Sequence, residues 1–237
     1  MQLFNRKRHI MNTKYSMGGG ALFAALLTST ASFADVTPQE VWDVYKGYMT
    51  SYGYTLEADE STSDGVLTIS GLSMTMALPE ESGELTLSMG DFGFLDQGDG
   101  SVLVTLPSVM PINIHVTPTD DEVGDMKLEL ATSEFSMVAS GTIDDMNFAT
   151  SIGDMSFTLK ELVSGGEVMI QATAAINAHK VVSNSTVKSG DLRSFVNDLT
   201  IGKFDYSINV TDPDSASEFM MRGETVDLKM ASATSIP

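Results

Sequence analysis

Two histidines and several groups of carboxylates are the side chains downstream of the N-terminal segment that could carry out catalysis or bind a metal. His115 lies between Ile114 and Val116, and His179 follows Ala178. The chain has no His-x-x-x-His pair and no Gly-x-Ser-x-Gly motif. The sequence therefore predicts neither a histidine-ligated zinc site nor a nucleophile elbow. A hydrolase would need a polar cleft at one of these histidines, and we expect no enzyme.

Acidic residues cluster in three predicted loops, at 96–99, 120–125 and 212–218. Calcium requires several oxygens that converge on one point, and none of these loops has the spacing of an EF-hand. Turn formation accounts for the Asp-Gly and Asp-Pro-Asp sequences. We predict no metal and no cofactor, and the sequence leaves calcium at the 120–125 loop as an alternative.

Charge and cysteine usage exclude further classes of protein. The chain has 13 basic and 32 acidic residues, a net charge of −19, and no cysteine. So acidic a surface repels phosphate backbones, which argues against nucleic-acid binding. Without thiols there is no cysteine nucleophile and no cysteine-ligated zinc or iron–sulfur cluster.

The first 34 residues have the pattern of a secretory signal peptide. Basic residues at positions 6–14 precede the apolar run 21–27, and the small residues Ser32 and Ala34 then precede Asp35. We predict cleavage before Asp35 and a periplasmic or otherwise exported mature chain without a transmembrane span; an uncleaved anchor is the alternative. Because residues 1–34 hold four of the 13 basic residues and no acidic one, the mature chain is even more acidic.

A single helix is predicted at 38–52. Thr37 is a good N-cap, Pro38 suits the first helical position, and Glu40 completes a capping box. Aromatic and aliphatic residues then recur at helical spacing up to Gly53. We expect this amphipathic helix to cap one end of a sheet core.

From Tyr54 onward the apolar residues alternate with period two, which indicates strands separated by short turns. We predict strands near 54–58, 66–78, 84–95, 101–106, 112–117, 126–131, 134–140, 146–151, 154–163, 167–178, 181–188, 193–201, 203–211 and 218–231. The fold class is mainly all-β: a long, curved antiparallel β-meander, taco- or barrel-like, with one N-terminal helix. Residues 35–237 are expected to form a single β-rich domain.

The apolar alternation changes phase at glycines within two of these strands. Leu67 and Ile69 have one parity and Leu72 the other, with Gly71 between them; a similar change occurs at Gly90. A glycine bulge would keep both halves of such a strand facing the core while bending it.

Methionine and leucine form the apolar rows of several strands. Thirteen of the 16 methionines lie after residue 34. Methionine is flexible and is over-used where a surface must fit varied apolar partners. We predict an apolar ligand-binding face formed by Leu72, Met74, Met76, Leu87, Met89, Phe135 and Met137. Ordinary packing in a closed core is the alternative.

Four segments resemble one known family: Ala34–Trp42, Tyr52–Gly53, Leu67–Leu72 and Phe94–Thr105. Their ordered set is similar to the domain-of-unknown-function 2125 family of exported alphaproteobacterial proteins, over the leader and about the first half of the mature chain. The family has no established activity, so the resemblance implies no catalytic residue. Its members are longer, which implies a short paralogue or a truncation. A looser similarity is to AsmA-like envelope proteins, whose curved sheets are thought to carry lipids.

These observations favour a non-enzymatic, exported envelope protein that binds or shields a lipid or another apolar envelope ligand in a curved sheet. The contrasting hypothesis is a structural or adhesive β-domain with a closed core. A continuous apolar slot would favour the first hypothesis, and a filled interior would favour the second.

Overall fold

The computed structural model of the chain describes residues 35–79, 82–118, 123–164, 167–168, 171–190, 192–211 and 218–236. All described residues belong to one compact unit, residues 33–237. The predicted signal peptide lies outside the described residues.

One helix precedes a large antiparallel sheet, as the sequence predicts. The elements are α1 (Pro38–Ser51), β1 (Thr55–Ser63), β2 (Val66–Ala77), β3 (Gly83–Met89), β4 (Phe92–Asp96), β5 (Val102–Thr105), β6 (Val109–Pro118), β7 (Gly124–Ser133), β8 (Ser136–Thr142), β9 (Asp145–Ser164), β10 (Glu167–Val168), β11 (Gln171–Lys188), β12 (Arg193–Thr211) and β13 (Glu218–Ile236). No helix in the described part of the chain is long and apolar enough to cross a membrane.

The strand register shows that several short strands are halves of longer ones. β2 pairs with β3 through Ser73 opposite Ser88, and with β4 through Ile69 opposite Phe92. From Ser73 to Ile69, β2 runs back four residues, and the paired residue moves forward four residues, from Ser88 to Phe92. β3 and β4 therefore pair with the same edge of β2 in one register, as a single interrupted strand. β1 pairs with the other edge of β2.

The same arrangement recurs at β9. Ser133 of β7 lies opposite Asp154, and Ser136 of β8 lies opposite Ser151, so β7 and β8 share one register on one edge of β9. β11 occupies the other edge of β9. Two series of shorter strands connect β2 to β9, one through β3, β6 and β7 and the other through β4, β5 and β8. The hydrogen-bonded strands therefore form a ring, in the order β2-β3-β6-β7-β9-β8-β5-β4. The fold is therefore a meander of consecutive long strands and not a regular barrel.

A row of bulges crosses the sheet at one level. Gly71 has φ +62°, and three non-glycine residues, Glu134, Lys180 and Asp227, also have positive φ. The register steps over Lys180 and Asp227, and the apolar side chains change parity there. The expected phase change in β2 is confirmed, because the buried positions are Leu67 and Ile69 before Gly71 and Leu72 and Met74 after it. Each bulge keeps one face apolar along a strand that bends.

Three long strands each join two segments that the sequence predicts as separate strands. The sequence predicts one strand on each side of Gly153, of residues 179–180 and of Gly202. In the structure, β9, β11 and β12 run through these positions without a break. Conversely, the strand predicted at 84–95 is interrupted at Gly90, whose N–H bonds to the Pro111 carbonyl. A phase change marks a bulge or a strand boundary equally well, which is why the boundaries differ.

The helix begins at the predicted capping box and lies against one face of the sheet. The Thr37 hydroxyl accepts from the Glu40 N–H, and the Glu40 carboxylate accepts from the Thr37 N–H. Tyr45 packs against Phe94 of β4 and Phe148 of β9, and Tyr48 packs against Phe195 of β12. Because one helix contacts strands so far apart in the sheet order, the sheet curves around it.

The main hydrophobic core fills the space between the helix and the sheet, mostly on one side of the bulge row, and extends past Gly71 to Leu72 and Met74. Its largest fully buried side chains are Phe94, Ile69, Met146, Val41 and Val102. A smaller core around Ala178, Val181 and Ile201 lies farther along the sheet. Residues 218–235 of β13 are exposed, apart from half-buried Gly223 and Leu228.

Candidate functional site

An apolar cleft of about 350 Å³ lies where the sheet extends past the main core, beside the helix. Three helical residues, residues of the nine strands β1–β9 and two residues between strands contribute to it. Every lining residue is aliphatic, aromatic or methionine: Trp42, Tyr45, Met49, Leu56, Leu72, Met74, Met89, Phe92, Phe94, Val104, Leu106, Met110, Ile112, Leu130, Phe135, Met137 and Phe157. We call this space the methionine cleft; its volume lies within the range of small-molecule sites.

Five of the seven residues predicted to form the ligand-binding face line this cleft: Leu72, Met74, Met89, Phe135 and Met137. Leu72, Met74 and Met89 lie on the adjacent strands β2 and β3, whereas Phe135 immediately precedes β8 and Met137 lies near its start. Leu87 lies opposite Met74 and packs against the main core. Met76 is half-buried and outside the cleft lining. The face thus continues past the cleft along β2.

Sequence reasoning missed the helical residues of the cleft, Trp42, Tyr45 and Met49. Their spacing of three and four residues places them on one helical face, and this signal is present in the sequence. That spacing does not tell whether the face closes a core or lines a cleft, since both surfaces are apolar. Leu130 and Phe157 were also missed, because their strands show the same alternation as every other strand.

Tyr45 forms part of the wall of the methionine cleft. Its hydroxyl donates to the Met137 Sδ atom at 2.9 Å. Burial raises the pKa of Tyr45 to about 12, because the phenolate would be desolvated there. The phenol is therefore neutral at physiological pH. Its hydrogen bond to sulfur is a weak one.

Glu60 of β1 holds the helix in place over the cleft. Its carboxylate accepts from the Trp42 Nε1 atom at 2.7 Å, the Lys46 Nζ atom at 3.0 Å and the Gln39 Nε2 atom at 3.0 Å. Desolvation acts to raise the pKa of Glu60, but these three hydrogen bonds outweigh it and the pKa lies below its usual value. The carboxylate fixes the indole that forms one side of the cleft.

A second cleft, of about 480 Å³, lies on the neighbouring face of the helix. Tyr45 and Met137 belong to both clefts. Seven of its lining residues carry an aliphatic hydroxyl or an amide: Thr150, Ser183, Ser185, Thr186, Asn197, Ser232 and Thr234. We call it the hydroxyl cleft. None of its described lining residues is charged at neutral pH.

The two histidines lie on strands away from these clefts. His115 Nδ1 is 2.7 Å from Asp125, and His179 is bracketed by Asp154 at 2.6 Å and Asp205 at 3.4 Å. The hydrogen bonds from His179 and Ser133 lower the pKa of Asp154. Within the described ranges, neither histidine hydrogen bonds to a serine hydroxyl. Both histidines thus make cross-strand pairs with carboxylates.

The described residues contain no group of three or more histidine, aspartate or glutamate side chains arranged to hold a metal ion. Residues 120–122 of the 120–125 loop and residues 212–217 of the 212–218 loop lie outside the described residues. Asp96 and Asp99 accept from the N–H groups of Gly98 and Ser101, as expected of turn residues.

No protein-family model, curated protein or solved structure matches this chain. The resemblance to the domain-of-unknown-function 2125 family therefore stays a prediction.

Proposed function

We propose that the protein is an exported, non-enzymatic envelope protein that binds an apolar ligand, most simply a lipid chain, in the methionine cleft. The observation that supports this proposal is the lining, which is apolar on every side in a chain with 32 acidic residues. Burial of an alkyl chain against such a surface is favourable by about 0.8 kcal/mol per CH₂. Methionine side chains can adapt to chains of different shape.

A second candidate function is that of a structural or adhesive β-domain without a ligand. The edge strand β13, which pairs with β12 alone among the described strands, favours it, because Phe219, Met220 and Val226 are each about three-fifths exposed on that strand. Long unprotected edges are sites of strand pairing between chains. Under this hypothesis the methionine cleft is a packing gap beside a filled core.

Native mass spectrometry and solvent extraction of residues 35–237, produced with export into a bacterial periplasm, separate the two functions. Lipid binding predicts co-purification of a lipid with the folded protein. A clean apo mass together with a cooperative melt would contradict lipid binding and support the structural domain.

Aspartate substitutions then locate the ligand. Met89→Asp places a charge in the cleft at a half-buried position and should abolish lipid retention. Met76→Asp makes the same change on β2 outside the cleft lining and should retain the lipid. Both variants must first show a cooperative melt, and equal loss of lipid in the two would argue against the methionine cleft.

A further inference from the structure

The two clefts are neighbours along the helix and differ in chemistry. Tyr45 and Met137 line both of them, so the phenol and the thioether form the boundary. The methionine cleft presents apolar side chains alone, whereas the hydroxyl cleft combines hydroxyls and an amide with a comparable number of apolar side chains, among them Val181 and Phe148. This division of chemistry matches a molecule with one apolar part and one polar part.

The polar groups of the hydroxyl cleft can both donate hydrogen bonds to a ligand and accept hydrogen bonds from it. The Ser183 and Ser185 hydroxyls donate to the Asn197 Oδ1 atom at 2.6 Å and 2.7 Å. A hydroxyl that donates one hydrogen bond still has lone pairs to accept another, and an asparagine amide can donate two. The cleft therefore suits a head that carries both donors and acceptors, as hydroxyl groups do.

The absence of charged side chains from the described lining of the hydroxyl cleft argues against a ligand with an ionic head group. The described lining of the hydroxyl cleft holds neither a cation for an anionic head nor an anion for a cationic head. A charged group placed there would lose hydration without gaining an ion pair. An anionic head would also face the field of a chain whose net charge is −19.

We propose that the ligand is an amphiphile with a single apolar chain in the methionine cleft and an uncharged, hydroxyl-bearing head in the hydroxyl cleft. This inference rests on the proposed function, because it assigns a head to the apolar ligand proposed above. The Tyr45–Met137 contact lies where the chain passes into the head. Since that hydrogen bond is weak, its two side chains can separate at little cost.

Two probes with the same chain and different heads test the inference. 1-Lauroylglycerol has an uncharged diol head, and laurate at pH 8 has a carboxylate. Titration of residues 35–237 with each probe, followed by the fluorescence of Trp42, measures binding because Trp42 lines the methionine cleft and is the single tryptophan. We expect the dissociation constant of 1-lauroylglycerol to be at least about tenfold lower than that of laurate.

The outcomes distinguish this inference from the proposed function. If neither probe binds, the lipid-binding function itself is contradicted. If both bind with equal affinity, or laurate binds more tightly, lipid binding stands and the uncharged head is overturned.

A charge substitution in the hydroxyl cleft provides a second test. Asn197→Asp preserves the shape of the side chain and an acceptor for Ser183 and Ser185, so the fold should be retained. We expect Asn197→Asp to strengthen binding of dodecyltrimethylammonium at least about tenfold and to weaken that of laurate. Asp198→Asn, on the exposed side of the same strand, is the matched control and should leave the preference for 1-lauroylglycerol unchanged. If Asn197→Asp binds dodecyltrimethylammonium, laurate and 1-lauroylglycerol with the same relative affinities as the unsubstituted protein, the placement of the head in the hydroxyl cleft is overturned.

Discussion

Single residues at the helix–sheet junction determine how the site is held. Glu60 receives hydrogen bonds from three helical side chains, one of them the indole of the methionine cleft. Tyr45 makes a second polar contact between the helix and the sheet, because its hydroxyl donates a hydrogen bond to the Met137 Sδ atom. The sheet and the helix are thus joined through a few polar contacts around an apolar space.

The pKa of Glu60 makes this junction sensitive to acid. Because the folded-state pKa lies below that of the unfolded chain, the carboxylate stabilises the fold above the unfolded value, about 4.3. That contribution is lost as the pH falls through the lower folded value. We expect Glu60→Gln to lower the free energy of unfolding by about 1 kcal/mol at pH 7 and to have no effect well below pH 4.

Urea denaturation at pH 7 and pH 3 measures this difference. Glu57→Gln, which removes an exposed carboxylate from the same strand, is the control. The assignment fails if Glu60→Gln and Glu57→Gln show the same pH dependence.

At the scale of elements, the bulge row allows long strands to keep one apolar face while the sheet bends. Gly71 is the clearest member, because its φ of +62° is unfavourable for residues with a Cβ atom and no neighbouring atom restricts the space around it. Its role is therefore conformational and not steric.

We expect Gly71→Ala to lower the free energy of unfolding by about 1–2 kcal/mol, the cost of a left-handed conformation. Gly124→Ala is the matched control, since Gly124 lies in β7 without a positive φ and its added Cβ would meet no atom closer than 3.9 Å. Gly124→Ala should be neutral or slightly stabilising. Equal effects of the two substitutions, measured by chemical denaturation, would contradict the bulge assignment.

At the scale of the whole described unit, stability should decrease from the helix toward β13. The fully buried side chains belong to α1, β2, β4, β5, β8 and β9, whereas the described residues of β13 are nearly all exposed. Among the strands that the structure describes, β13 pairs with β12 alone. Local opening is easiest where few apolar contacts are buried.

Native-state hydrogen exchange tests this gradient. We expect amides in β2, β4 and β5 to exchange only through global unfolding and amides in β13 to exchange by local opening at lower free energy. Measurement at two protein concentrations is the control for strand pairing between copies. Protection of β13 equal to that of β2 at low concentration would contradict the gradient.

The alternation of side chains was sufficient to predict the antiparallel meander, and the capping box was sufficient to predict the start of the helix. Both signals are local, because a strand repeats every two residues and a cap depends on Thr37 and Glu40 alone. Strand boundaries were not predictable, since the phase change at Gly153 or Gly202 is the same for a bulge within one strand as for a break between two. The clefts were less predictable still. Leu72, Met74 and Met89 have the pattern of any core-facing residue, and only the position of Trp42, Tyr45 and Met49 across from them leaves a space that these side chains do not fill.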